Sequence, residues 1–176
     1  MHFESHIKKY PLSTWEDMVK LCYQASFGAE HILSDIDGAE KYFYSEFNSL
    51  IPCDGEICEY ISDNVCRINM AAWKAEGLCP GWLFEMFRLS CKVAEDGEGI
   101  FSRGIEDLKT LYPNMADDID GYLEKGVRAI HHSSVYREAY DPHYRIVSAR
   151  VASLVPILRM ASQHSRAVIA IDGGAA

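Results

Sequence analysis

Residues 131–145 read His-His-Ser-Ser-Val-Tyr-Arg-Glu-Ala-Tyr-Asp-Pro-His-Tyr-Arg, the densest polar-aromatic run in the chain. Histidine and arginine side chains suit a phosphate or carboxylate, and tyrosine rings can stack on a base or sugar. On this reading His131, His132, Tyr136, Arg137, Tyr140, Tyr144 and Arg145 are candidate substrate-binding residues. A plainer alternative stands beside it. Tyr136, Tyr140 and Tyr144 recur every fourth residue, as an aromatic stripe on one helix would, with Arg137 and Arg145 bonded to helix carbonyls or acidic neighbours. Three further polar residues join the set if the fold brings them near: His31 beside Ile32-Leu33, and Arg67 and Asn69 close to a predicted helix start.

Other chemistry is poorly supported. Adjacent His131 and His132 diverge by about 100° on a helix and face opposite sides of a strand, so they do not make a metal site. No His-Glu-x-x-His or Cys-x-x-Cys spacing supplies a scaffold, and no metal is expected. The Ser133-Ser134 pair lacks the context of an activated nucleophile, so no catalytic residue is assigned.

The elements that must hold these residues read as helices almost throughout. Thr14 and Asp17 suggest a capped start, followed by an apolar stripe ending at Gly28. A second helix is expected over about 38–50, ended by Pro52. Residues 53–66 fit a helical turn or an edge strand equally well. Ile68, Ala71, Ala72 and Ala75 predict a helix ending at Gly77. Pro80 then opens another, with Leu83, Met86 and Phe87 inward. The acidic run 95–99 reads as an exposed turn. Further helices are expected through Ile105–Tyr112, through Ile119–Ile130 with Gly126 at a close helix approach, and over about 146–163, kinked at Pro156. The expected fold is mainly α, an orthogonal multi-helix bundle over residues 1–165 with a terminal strand fragment.

Composition narrows the function further. Forty-eight per cent apolar residues are ample for a core, and no apolar run nears the roughly 18–20 residues of a membrane span. The six cysteines show no metal or redox spacing and read as reduced thiols, which with the lack of a signal-like start suggests a cytoplasmic protein. Net charge is −9, but residues 121–176 hold seven basic and four acidic side chains, and six of the nine arginines lie there. Overall acidity argues against a nucleic-acid partner, and nothing suggests a membrane partner. A small anionic or phosphorylated ligand suits the arginine-rich third.

Residues 166–176 read Arg-Ala-Val-Ile-Ala-Ile-Asp-Gly-Gly-Ala-Ala. An apolar β-branched run entering a Gly-rich turn is how a P-loop opens, with the remaining glycine and lysine falling beyond Ala176. Val168 to Gly173 resembles the first strand and loop of the uridine kinase/phosphoribulokinase-like P-loop kinases. Gln24–Leu33, Cys66–Met70 and His131–Arg137 with Tyr140–Arg145 are similar to the helical region that some bacterial members carry ahead of that loop. The resemblance implies an accessory domain for substrate recognition or regulation over residues 1–165, whose partner is its own C-terminal kinase domain. It further implies that Asp172, Gly173 and Gly174 form part of a nucleotide-binding loop and that the intact kinase uses ATP and Mg. Without the Walker lysine and hydroxyl, the chain itself holds no cofactor and is expected to be inactive in phosphoryl transfer. The alternative is a self-contained anion-binding domain or enzyme built on residues 131–145.

Overall fold

The computed structural model describes residues 1–29, 33–90 and 94–170. Its helices are α1 (Phe3–Lys9), α2 (Trp15–Phe27), α3 (Ile36–Ser49), α4 (Met70–Ala75), α5 (Pro80–Leu89), α6 (Gly97–Leu111), α7 (Ala116–Leu123), α8 (Ser134–Tyr140), α9 (Ala149–Ala152) and α10 (Val155–Ser162). Three strands, β1 (Cys58–Ser62), β2 (Val65–Asn69) and β3 (Tyr144–Ser148), form an antiparallel sheet in the order β1-β2-β3. The expected mainly α, orthogonal multi-helix bundle is therefore wrong. The fold is mixed α/β with a helical majority, and its central strand carries Arg67.

The strands escape a periodicity reading for a local reason. Each of β2 and β3 is five residues long and runs straight into a short helix. Asn69 closes β2 and caps α4, its Oδ1 accepting from the amides of Ala71 and Ala72. Ser148 closes β3 and caps α9 by accepting from the Val151 amide. Strand and helix together mimic one apolar stripe, so Ile68 and residues 146–148 read as helix. Pro156 lies in the first turn of α10, where its missing N–H does no harm, and does not kink a long helix.

Other boundaries also differ. Gly97–Gly99 form the first turn of α6, capped by Asp96, and are not an exposed turn. The helix through Ile119 ends at Leu123. Gly126 turns the chain with a φ of 81° and has open space where a Cβ would sit, so it marks no close helix approach. Residues 167–170 belong to no strand, and Val168 is 90% exposed. Among the described residues no strand lies beside them to pair with, and an unpaired β-run has no ladder to hold it.

The sheet carries helices on both faces, and the register decides what each face presents. Glu59 pairs with Arg67 and Asn69 with Tyr144, which places all four side chains on one face. On that face α2 supplies Gln24 and Asp17, α1 supplies His6 and Tyr10, and α8 supplies Tyr136. The opposite face presents Ile68, Val147 and Arg145 to α3 and α5. Trp73, Phe43, Leu83 and Met18 are fully enclosed in the apolar core around this sheet. Cys22, Cys53, Cys58, Cys66 and Cys79 are all thiols, and burial pushes Cys22 up to about 12, in keeping with its place on the apolar side of α2. Among the described residues no helix is long and apolar enough to cross a membrane.

Candidate functional site

A cleft of about 600 Å³ opens where the C-terminal end of β2 meets the start of β3. Lys9 and Tyr10 of α1 form one wall, and the segment after α3, with Leu50, Cys53 and Glu56, forms another. Tyr140, Asp141, Pro142, His143 and Tyr144 close the third side, and Glu59, Arg67 and Asn69 line the cleft from the sheet.

Arg67 is 1% exposed, and its guanidinium is held by a neutral partner. Nε and Nη2 both donate to Gln24 Oε1, at 3.1 and 2.6 Å. The Gln24 amide is oriented in turn, because its Nε2 donates to Tyr144 Oη at 2.8 Å. Tyr144 donates its one proton to His132 Nε2 at 2.6 Å, and His132 Nδ1 donates to Asp17 Oδ1 at 2.9 Å. Asp17 anchors the far end. It also accepts from the Ser133 amide and hydroxyl, at 2.9 and 2.7 Å, and from the Thr14 amide at 2.9 Å. Buried polar chains of this kind are costly unless every member is satisfied, so each link restrains the next.

Charge state sets the direction of every bond. Burial pushes the Asp17 carboxyl up, but the donors from His132, Thr14 and Ser133 outweigh it and hold the group well below the carboxylate range. Burial, helped by the nearby charge of Arg67, lowers His132 to about 4 despite Asp17. The Asp17–His132 contact is thus a neutral imidazole donating to a carboxylate, not an ion pair. Its Nε2 is left as the acceptor that Tyr144 requires.

The last guanidinium nitrogen, Arg67 Nη1, is buried and has no hydrogen-bond partner among the described residues. Its nearest carboxylate is Glu59, with Oε1 4.0 Å away. Glu59 is already engaged. Oε1 accepts from His6 Nδ1 at 2.8 Å and Oε2 from Tyr10 Oη at 2.9 Å. Burial raises this carboxyl, but the His6 bond and the Arg67 charge bring it down to about 2, so it stays ionised. Arg67 also stacks its guanidinium over the Tyr144 ring at 4.5 Å, which fixes its plane.

The unused hydrogen-bonding capacity around the cleft is largely of the donor kind. Asn69 Oδ1 is taken by α4, leaving its amide nitrogen without a partner among the described residues. Tyr140 Oη accepts from the Leu12 amide at 2.9 Å and retains its proton to donate. Exposed Lys9 reaches Glu56 at 3.3 Å. His143 faces Glu46 at 2.7 Å and Asp141 at 3.3 Å through its two nitrogens. Arg67 Nη1, Asn69 Nδ2 and Tyr140 Oη–H ask for a ligand rich in acceptors.

The candidate residues separate into groups. Arg67, Asn69, Tyr140 and Tyr144 line the cleft together. His132 stands behind Tyr144, and Tyr136 is buried, stacked on His132 at a centroid distance of 4.3 Å. His131 and Arg137 lie at a separate depression with Lys20. Arg145 is on the opposite sheet face, bonded to Glu46 at 2.6 Å. His31, Asp172, Gly173 and Gly174 lie outside the described residues, as does Cys91. The tyrosine stripe does not exist as one helix, since Tyr136 and Tyr140 are on α8 and Tyr144 is on β3.

Sequence reasoning missed Asp17, Gln24, Glu59, His6 and Tyr10 as site residues. Asp17 signalled only a cap, and its reach back to the Thr14 amide is that cap. Gln24 offered one clue, a polar side chain among the buried residues of α2. Among the described residues no cluster of three or more His, Cys, Asp or Glu side chains is arranged to hold a metal. Comparison with models of known families, with curated proteins and with solved structures finds no match to this chain.

Proposed function

We propose that this domain binds a small anionic molecule, a carboxylate or phosphate compound, in the cleft lined by Arg67, Asn69 and Tyr140. The observation that carries the reading is the buried Arg67 with Nη1 unused. Leaving a charged donor unpaired costs more than the about 1–3 kcal/mol of a neutral one, and an oxyanion removes that cost with a charge-assisted bond. The chain of bonds from Asp17 to Gln24 holds the guanidinium before any ligand arrives, which lowers the ordering cost of binding.

The test is a calorimetric titration with a panel of small dicarboxylates, sugar phosphates and nucleoside monophosphates. At least one is expected to bind saturably at one site and to lose at least tenfold in affinity in Arg67→Lys, which keeps the charge but not the planar fork. Indifference of the wild-type protein to the whole panel, or equal affinity in that variant, overturns the reading.

The similarity of residues 24–33, 66–70 and 131–145 to the region ahead of uridine kinase-like P-loops supports one extension. On it, the cleft recognises a molecule that such a kinase handles, as an accessory domain would. This extension rests on the sequence alone. It fails if a chain carrying the completed loop phosphorylates its substrate with the same KM whether or not Arg67 is replaced by Lys.

A further inference from the structure

The depression beside the cleft has about 330 Å³ of its own and is lined by Lys20, His131, His132, Arg137, Asp141 and Pro142. It is separate from the Arg67 cleft but adjacent, because Asp141 and Pro142 line both and form the ridge between them. We propose that this depression is a second site, for a phosphate-sized oxyanion, held by Lys20, Arg137 and His131.

Three side-chain donors border it with no hydrogen-bond or ion-pair partner among the described residues. Lys20 projects from α2, is half-buried, and makes no hydrogen bond or ion pair among the described residues; its ammonium lies 5.5 Å from the Tyr23 ring centre. Burial, and then the charge of Arg67, lower its pKa to about 8, the mark of a cation short of counter-charge. Arg137 on α8 is exposed, and its guanidinium likewise has no partner among the described residues. The His131 ring is exposed, while its amide is fixed by donating to Tyr122 Oη at 3.1 Å. His132 is neutral with both nitrogens taken, so it forms a wall and does not compete for the ligand. Among the described residues the one lining carboxylate, Asp141, is turned to His143 at 3.3 Å.

An exposed lysine or arginine alone is an ordinary solvated charge. The arrangement here differs because a half-buried ammonium, a guanidinium and an imidazole from three places in the chain border one concavity. In a chain with 26 acidic and 17 basic side chains, carboxylates are plentiful, yet none pairs with Lys20 or Arg137 among the described residues. A tetrahedral oxyanion can accept from all three donors at once, which a planar carboxylate does less well. The source is either free phosphate or a phosphate monoester.

The experiment measures the acylation rate of each lysine by mass spectrometry, with inorganic phosphate as the probe and ribose 5-phosphate in a parallel arm. Ionic strength is held constant with chloride. Phosphate is expected to slow acylation at Lys20 at least threefold and saturably, leaving exposed Lys8 and Lys41 unchanged. Arg137→Ala should raise the midpoint of protection at least fivefold, and Arg67→Lys should leave it unaltered. Equal midpoints for the two probes assign the site to free phosphate, and a tighter ester assigns it to a monoester; either supports the proposal. A Lys20 rate indifferent to both probes overturns it, as does protection that survives Arg137→Ala. Protection abolished by Arg67→Lys also overturns it, because the anion then sits in the cleft, and the cleft reading alone survives.

Discussion

Two arginines on neighbouring strands show what separates a cation closed by its own partners from one with a donor left over. Arg67 pairs across the sheet with Ile146, and Arg145 with Ile68, so the two guanidinium groups leave opposite faces. Arg145 meets a carboxylate, with Nη2 donating to Glu46 Oε2 at 2.6 Å and Nη1 to the Tyr144 carbonyl at 3.0 Å. The rings of Phe43 and Phe87 stand 5.2 and 5.8 Å from its Cζ. Burial raises the Glu46 carboxyl, but Arg145 and His143 together bring it below its ordinary value. That cluster is closed. Arg67 instead meets a neutral amide, while its nearest carboxylate is 4.0 Å away and committed to His6 and Tyr10. A cation balanced by its own partners holds the fold; one held in place with a donor left over can hold something else.

The largest expected effect comes from deleting the open member of the pair. Arg67→Met strands Glu59 and the Gln24 oxygen in the interior, and removing one partner from a buried charged set costs about 3–5 kcal/mol. Urea denaturation should show that loss together with abolished ligand binding. Arg145→Met should cost less, about 2 kcal/mol, because its pair with Glu46 is partly accessible and lies between the exposed and buried limits. The contrast is in binding: affinity for the cleft ligand should stay within twofold in the Arg145 variant. Equal losses of affinity in both would erase the distinction between the two arginines.

A sharper test converts one into the other. Gln24→Glu gives Arg67 the carboxylate that Arg145 already has, and should weaken the cleft ligand about tenfold, roughly 1.4 kcal/mol. The Gln24 Nε2 donor is lost with it, so Tyr144 turns its proton to the new carboxylate and His132 loses its acceptor role. Its pKa then rises, which a histidine NMR titration would read directly. An unchanged His132 titration would break the chain of bonds inferred between Asp17 and Arg67.

The difference between the two arginines was only partly legible in the sequence. The start of α2, Pro80 at the head of α5 and the glycine-terminated end of α2 were readable because caps and breakers act within a few residues. Gln24 N–H···O Tyr144 and His132 N–H···O Asp17 join residues 120 and 115 positions apart, and no local spacing announces such pairs. The hydroxyls, imidazoles and guanidinium groups of residues 131–145 were visible as a reservoir of donors. How they divide was not. Strand β3 begins at Tyr144, and its pleat sends Tyr144 and Arg145 to opposite faces, so a single step in the chain separates the cleft from the closed cluster.

The chain of bonds also predicts a pH dependence of stability. His132 is lowered from 6.5 to about 4, so the folded protein binds fewer protons than the unfolded chain between those values. The stability it contributes is therefore complete above pH 6.5 and drains as the pH falls towards 4, by about 3 kcal/mol at most. Glu59, lowered to about 2, adds a second loss that begins below its ordinary 4.5. Chemical denaturation from pH 7.5 to 4.5 should show the first loss, to which His6, also lowered by burial, adds with the same sign. His132→Gln should reduce the slope, and a slope unchanged by it would assign the loss to another group.

The smallest effect concerns the ridge between the two concavities. Asp141 has a φ of 39°, the one positive value at a non-glycine residue among the described residues. It closes α8, with its amide donating to the Arg137 carbonyl at 3.0 Å, and leads into Pro142. An L residue in this region is disfavoured by about 1 kcal/mol, although aspartate tolerates it better than most. Asp141→Gly removes that strain and also the 3.3 Å contact with His143, while adding backbone freedom to the unfolded chain. The opposing terms leave a change of about 0.5 kcal/mol or less in stability, readable in the melting temperature. The ligand effects should differ in kind. Deleting a carboxylate that borders both concavities strengthens an oxyanion at Lys20 and Arg137, where Asp141 is the only lining carboxylate among the described residues, more than one at Arg67, where Glu59 and Glu56 remain. Equal gains at both would make Asp141 a shared gatepost of one continuous site, and the ridge would no longer divide two.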